Sequence, residues 1–175
     1  MKLLVLVFLF ALVSLADGDS TFHITAAANA YESGKEALQE KQTEKAVTLF
    51  RQVIDIEPTF TEAFQSLAGV YLDSGRPLEA AAVLTQLLEF EPDAVKSRLI
   101  LAEILSKERQ PRRALAQFSL VLQHDPFNPE ALLGFAWAAQ QIGLADRASE
   151  VLERGRKRYP SDARFRLPPA TPLPP

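Results

Sequence analysis

The sequence predicts an all-α fold, four helix–turn–helix repeats stacked into a short array. Three columns of residues carry that prediction. Proline recurs at Pro58, Pro92, Pro126 and Pro160, and alanine at Ala46, Ala80, Ala114 and Ala148, each column stepping by 34 residues. A large apolar residue follows each alanine by one helical turn, at Phe50, Leu84, Phe118 and Leu152. A fixed period of this length marks a repeat architecture, in which each unit buries its apolar face against the next. Hydrophobic residues at 47% and charged residues at 23% of the 175-residue chain suit a packed array rather than a disordered one.

Residues 1–16, MKLLVLVFLFALVSLA, have the pattern of a secretory signal peptide: Lys2, an unbroken apolar run from Leu3 to Val13, and small residues at Ser14 and Ala16 before Asp17. The run is shorter than the ~20 residues that cross a bilayer core. Cleavage after Ala16 is therefore expected, with an uncleaved membrane tether as the alternative. Lys2 on one side and Asp17 and Asp19 on the other favour export of the remainder in either case. The expected location is the periplasm or the exterior. Residues 17–26 form a lead segment that includes His23.

The repeats are expected at 27–60, 61–94, 95–128 and 129–162. In the second, Phe64, Leu67, Ala68 and Tyr71 recur at helical spacing and share one face. Gly75 stands where a helix end needs a left-handed residue, and Pro77 is tolerated in the first turn of the next helix. Ala80, Leu84, Leu87 and Leu88 make the second apolar face, and Pro92 closes the unit. Gly143 repeats the role of Gly75, whereas Lys41 and Arg109 replace that glycine in the first and third repeats. Asn128-Pro129-Glu130 is a helix start: a cap, a proline and an acid at the positive end of the dipole. The last 13 residues, 163–175, hold prolines at 168, 169, 172, 174 and 175 and read as an extended, disordered tail.

Together these features resemble the tetratricopeptide repeat (TPR), a 34-residue hairpin with W-x2-L-G-x2-Y, A-x3-F and P landmarks. The second repeat carries Phe64-x2-Leu67-Ala68-x2-Tyr71, Ala80-x3-Leu84 and Pro92, and the fourth carries Leu132-x2-Phe135-Ala136-x2-Ala139, Ala148-x3-Leu152 and Pro160. The first departs at Ser33, and the third at Arg98, where the family prefers a bulky apolar residue, so a looser joint is expected between repeats two and three. The resemblance implies a right-handed superhelical solenoid whose first helices line a concave groove. It implies a non-enzymatic scaffold or adaptor that binds a peptide or helix of a partner protein.

The groove positions of the family fall on Tyr31, Lys35 and Gln65 in the first half and on Lys96, Leu99, Ile100, Leu133 and Trp137 in the second. Leu99, Ile100, Leu133 and Trp137 would form an apolar patch on a face that water should otherwise cover. The alternative for Trp137 is packing between neighbouring helices. The basic clamp with which some family members hold acidic chaperone tails is missing: Tyr31, Lys35, Ser66, Lys96 and Ile100 stand at its places, and only Lys96 fits.

Composition narrows the function further. With no cysteine, two histidines, and neither a G-x-S-x-G nor an H-E-x-x-H motif, the chain offers little raw material for catalysis or a metal site. No enzyme activity, cofactor or metal is expected. His124, beside Asp125, reads as a helix C-terminal cap. A net charge of −3 argues against nucleic acid as a general partner. Charge is divided: residues 17–94 hold 14 acids and 5 bases, and residues 95–175 hold 8 acids and 13 bases. That division suits steering of a partner or head-to-tail self-association. An accessory subunit of an envelope complex for secretion, polysaccharide or cell-wall assembly is a further reading.

Overall fold

The computed structural model describes residues 24–166, and all regular structure there is helical. The signal segment 1–16, the lead through His23 and the tail beyond 166 lie outside the described residues. The chain divides into two compact units, one ending at Asp73 and the other beginning at Ser74.

The first unit holds α1 (24–39), α2 (Thr43–Ile56) and α3 (Thr61–Asp73). Helix α1 is already formed at residue 24, inside the expected lead segment. Helix α2 buries Ala46, Val47, Phe50, Val53 and Ile54, the one-sided spacing of an amphipathic helix. Phe50 presses on α1 at Gly34, where a Cβ would stand only 2.7 Å from the ring. The Arg51 guanidinium donates a 2.6 Å hydrogen bond to the hydroxyl of the fully buried Tyr71, so the phenol loses no partner on burial.

The second unit holds α4 (Pro77–Phe90), α5 (Val95–Lys107), α6 (Pro111–His124), α7 (Pro129–Gln141) and α8 (Ala145–Arg158), with a 3-10 turn at Ala163–Arg166. Consecutive helices from α4 to α8 pack against one another, and α5 also touches α7. Helix α7 is therefore enclosed on several sides, and eight of its residues are buried. Gly134 lets α6 come close: a Cβ there would lie 2.2 Å from the ring of Phe118. Asn128 caps α7 as its sequence predicts, its Oδ1 accepting a 3.0 Å hydrogen bond from the Ala131 N–H. His124 ends α6, and its Nε2 lies 3.2 Å from an Asp93 carboxylate oxygen.

One residue at the same register sets every turn inside a repeat. Gly75 and Gly143 have φ of 69° and 81°, and Lys41 and Arg109 adopt the same left-handed backbone at 59° and 54°. A side chain there costs about 1–2 kcal/mol, partly offset by glycine's greater freedom in the unfolded chain. Replacing both Lys41 and Arg109 with glycine should therefore stabilise the protein by roughly 1 kcal/mol and raise its melting temperature by a few degrees. A lower melting temperature would show that these two side chains hold the turns in some other way.

Arg98 does not leave an unsatisfied gap at the joint it was expected to loosen. It is buried between α4 and α6, donating to the Pro92 carbonyl and, at 2.9 Å, to Gln117 Oε1. Burial pulls its pKa down while the nearby Asp93 carboxylate pushes it back up. A long amphipathic side chain thus fills the space with its stem and satisfies its head on the Pro92 carbonyl and the half-buried Gln117.

The start of the expected tail is also folded. Phe165 is fully buried against Gly155 of α8, where a Cβ would stand 2.2 Å from its ring. The ring stacks on Tyr159 at 5.8 Å, and Arg156 Nε donates to the Phe165 carbonyl at 2.8 Å. Arg164 pairs with Asp162 at 2.8 Å and reaches Glu130 at 3.5 Å. The prolines that suggested an extended tail begin at Pro168. A proline constrains only itself and the residue before it, so this run leaves 163–166 free to turn.

Candidate partner-binding face

The eight candidate residues divide between the two units. In the first, Tyr31 and Lys35 stand on α1 and Gln65 on α3. Tyr31 is half-buried, its ring 5.0 Å from Phe60 and 5.6 Å from Phe50, and its hydroxyl shares a 3.1 Å hydrogen bond with Ser66. It ties α1 to α3 as much as it offers a surface. Lys35 is exposed but engaged: its Nζ lies 2.9 Å from Glu32 and 5.6 Å from the centre of the Tyr31 ring. The hydrogen bond to Glu32, reinforced by that carboxylate's charge, raises the Lys35 pKa. Gln65 is exposed. This set is polar and already internally paired in part.

In the second unit, Lys96, Leu99 and Ile100 occupy one stretch of α5, and Leu133 and Trp137 lie one turn apart on α7. Lys96 is exposed, Leu99 is half-buried and Ile100 is 39% exposed. Trp137 is half-buried. Its indole N–H makes no hydrogen bond among the described residues, and no buried polar side-chain atom there lacks a partner. The N–H therefore reaches solvent while the ring body packs against protein. A residue with an apolar body and a wet polar tip is the kind enriched at protein interfaces.

Leu133 corrects the expected patch. It is only 6% exposed and belongs to the core, because α7 is enclosed by its neighbours and its small residues let them approach. A one-residue error in helix phase turns a side chain by about 100°, enough to move it from surface to interior. Of the expected patch, Leu99, Ile100 and Trp137 remain at the surface, with Lys96 near Leu99 and Ile100 on α5. Helix α5 packs directly on α7, so the two helices that carry these residues lie side by side. Among the described residues no group of acids and histidines is placed to hold a metal ion.

Comparison with known proteins places this arrangement in a wider setting. A family profile described as "Tetratricopeptide repeat" matches residues 37–104 and 105–167. Over 133 residues the chain is 28% identical to Protein O-mannosyl-transferase Tmtc3 of Drosophila melanogaster, a match spanning 75% of this chain and 14% of that protein. The crystal structure of MamA protein superposes with a TM-score of 0.69 at 16% identity, covering 80% of this chain and 76% of that one. YrrB, described as a TPR protein with an unusual peptide-binding site, superposes at 0.66 and 19% identity over 90% and 84% of the two chains. At these identities the structural likeness shows the fold, an all-α TPR-like superhelix.

Proposed function

The chain belongs to the tetratricopeptide-repeat family, and from that premise we propose that it is a non-enzymatic scaffold binding a peptide or helix of a partner protein on the α5–α7 face. Members of the family act as protein-interaction scaffolds, and YrrB carries a peptide-binding site. The observation that carries the reading here is the half-buried Trp137 with its solvent-reaching N–H, on a helix packed against the one that bears Leu99 and the exposed Ile100. Lys96 adds a cation for an acidic group of the partner. Tyr31, Lys35 and Gln65 offer a separate, more polar set of contacts on the first unit. The apolar run at residues 3–16 supports an exported protein, periplasmic or secreted, or one tethered outside the cytoplasm. In that setting a scaffold would serve envelope assembly, secretion or export. Capture of a partner from native envelope extract by the full chain, lost on combining Ile100→Glu with Trp137→Ala in a still-helical variant, is the expected result. Equal capture by both proteins would sink the reading.

The uneven charge favours a second reading, head-to-tail self-assembly. Acids dominate residues 17–94 and bases dominate residues 95–175. Light scattering on the purified chain across salt concentrations tests it. Oligomers at low salt that dissociate as salt screens the charges would support it, and a monomer throughout would exclude it.

A further inference from the structure

A second site lies apart from the α5–α7 face. Between α6 and α8 the surface sinks into an open hollow of about 270 Å³. Its apolar wall is Leu122, Val151 and Phe135, and its charged rim is Arg147, Glu150 and Arg154. Neither Trp137 nor Ile100 lines it. The Arg147 guanidinium lies 5.5 Å from the centre of the Phe135 ring, and Arg154 donates a 2.5 Å hydrogen bond to the Pro126 carbonyl. Among the described residues, neither arginine is within ion-pair distance of a carboxylate, although Glu150 stands between them in sequence.

We infer that this hollow binds an extended peptide bearing an acidic, an apolar and a second acidic side chain at alternate positions. Arg147 and Arg154 are seven residues apart, so they share one face of α8 about 10.5 Å from each other along its axis. Val151 sits between them on the same side. An extended chain puts residues i, i+2 and i+4 on one face over about 13 Å. The long guanidinium side chains span the difference. The outer acids then meet Arg147 and Arg154, each able to grip a carboxylate with paired N–H groups. The central side chain enters the hollow against Leu122, Val151 and Phe135. Glu150 sets the register, because it repels a third acid at the centre and leaves the ends to the arginines. This site needs no groove on the first helices, so it stands or falls independently of the α5–α7 reading.

Fluorescence polarisation of the full chain with a labelled Ser-Glu-Ser-Leu-Ser-Glu-Ser peptide tests the inference. Binding should weaken about tenfold between low and physiological salt, as expected for two charge pairs near a surface. Arg147→Glu should weaken it by at least about tenfold, whereas Glu150→Gln should tighten it about threefold by removing the repulsion. Peptides with Gln for both acids, or Ser for the leucine, should bind at least about tenfold more weakly. Trp137→Ala should leave the affinity unchanged. Three outcomes would overturn the inference: no binding at millimolar peptide, affinity insensitive to both Arg147→Glu and Glu150→Gln, or binding lost with Trp137→Ala instead.

Discussion

Replacing Phe118 with alanine should lower the melting temperature by roughly 6–20 °C, the equivalent of about 3–5 kcal/mol for a chain of this size. Phe118 is fully buried, and its ring fills the space that Gly134 leaves empty on α7. Gly134 has no side chain to take up the lost volume, so a cavity forms there and its lining loses dispersion contacts. The pairing makes a sharper test through the partner residue. Gly134→Ala alone should destabilise the protein, because the new methyl overlaps the ring and the enclosed helices limit the ring's retreat. In the Phe118→Ala background the same change should stabilise it, by filling part of the cavity and improving helix propensity by about 1 kcal/mol. Thermal melts of the four proteins give the coupling directly. Additive effects would mean that the two residues do not share one space.

Trp137→Ala and Leu133→Ala should behave oppositely, although one helical turn separates them. Trp137→Ala should weaken partner binding by about 2 kcal/mol or more, close to 30-fold, as expected for a hot-spot aromatic. Its cost in stability should be smaller, about 1–2 kcal/mol, since the residue is only half-buried in the folded protein. Leu133→Ala removes a core side chain and should cost about 2–5 kcal/mol of stability. Its effect on binding should follow only from the lost fold. Calorimetric titration with the captured partner, set beside urea unfolding of each variant, separates the two effects. A Trp137→Ala protein that binds normally but melts far below the parent would place the indole in the structural interior and remove the α5–α7 face as the binding site.

Much of the architecture was legible from the chain because the repeat supplies each signal four times. A single proline or alanine says little about a fold. The same residue types 34 positions apart identify the close-packed helix crossings, and the four alanines of that column are all fully buried. The turn glycines, the Asn128 cap and the proline-ended helices follow from local chemistry and sit as their sequences imply. What stayed hidden depends on neighbours. Leu133 and Trp137 are both large and apolar, and only the enclosure of α7 by α5, α6 and α8 decides which is covered. Arg98 looks like a defect in its column, and only the nearby Pro92 carbonyl and Gln117 explain how it fits. Arg147 and Arg154 carried a readable signal, two cations seven residues apart. The hollow between them arises from a helix that is distant in sequence, so spacing alone did not identify it.

Phe165 has a consequence for the order of events in synthesis. The residue seals α8 by reaching back only ten positions to Gly155, a loop of a size that closes in roughly 10–100 ns once both ends are free. The closing contact therefore adds nothing to the time the chain needs to fold. What it depends on is emergence: until residue 165 has left the ribosome, the notch at Gly155 stays open and part of the newest helix remains exposed to whatever is nearby. A translational pause just upstream would lengthen that interval, and a chain released before this point would carry the open notch for its lifetime.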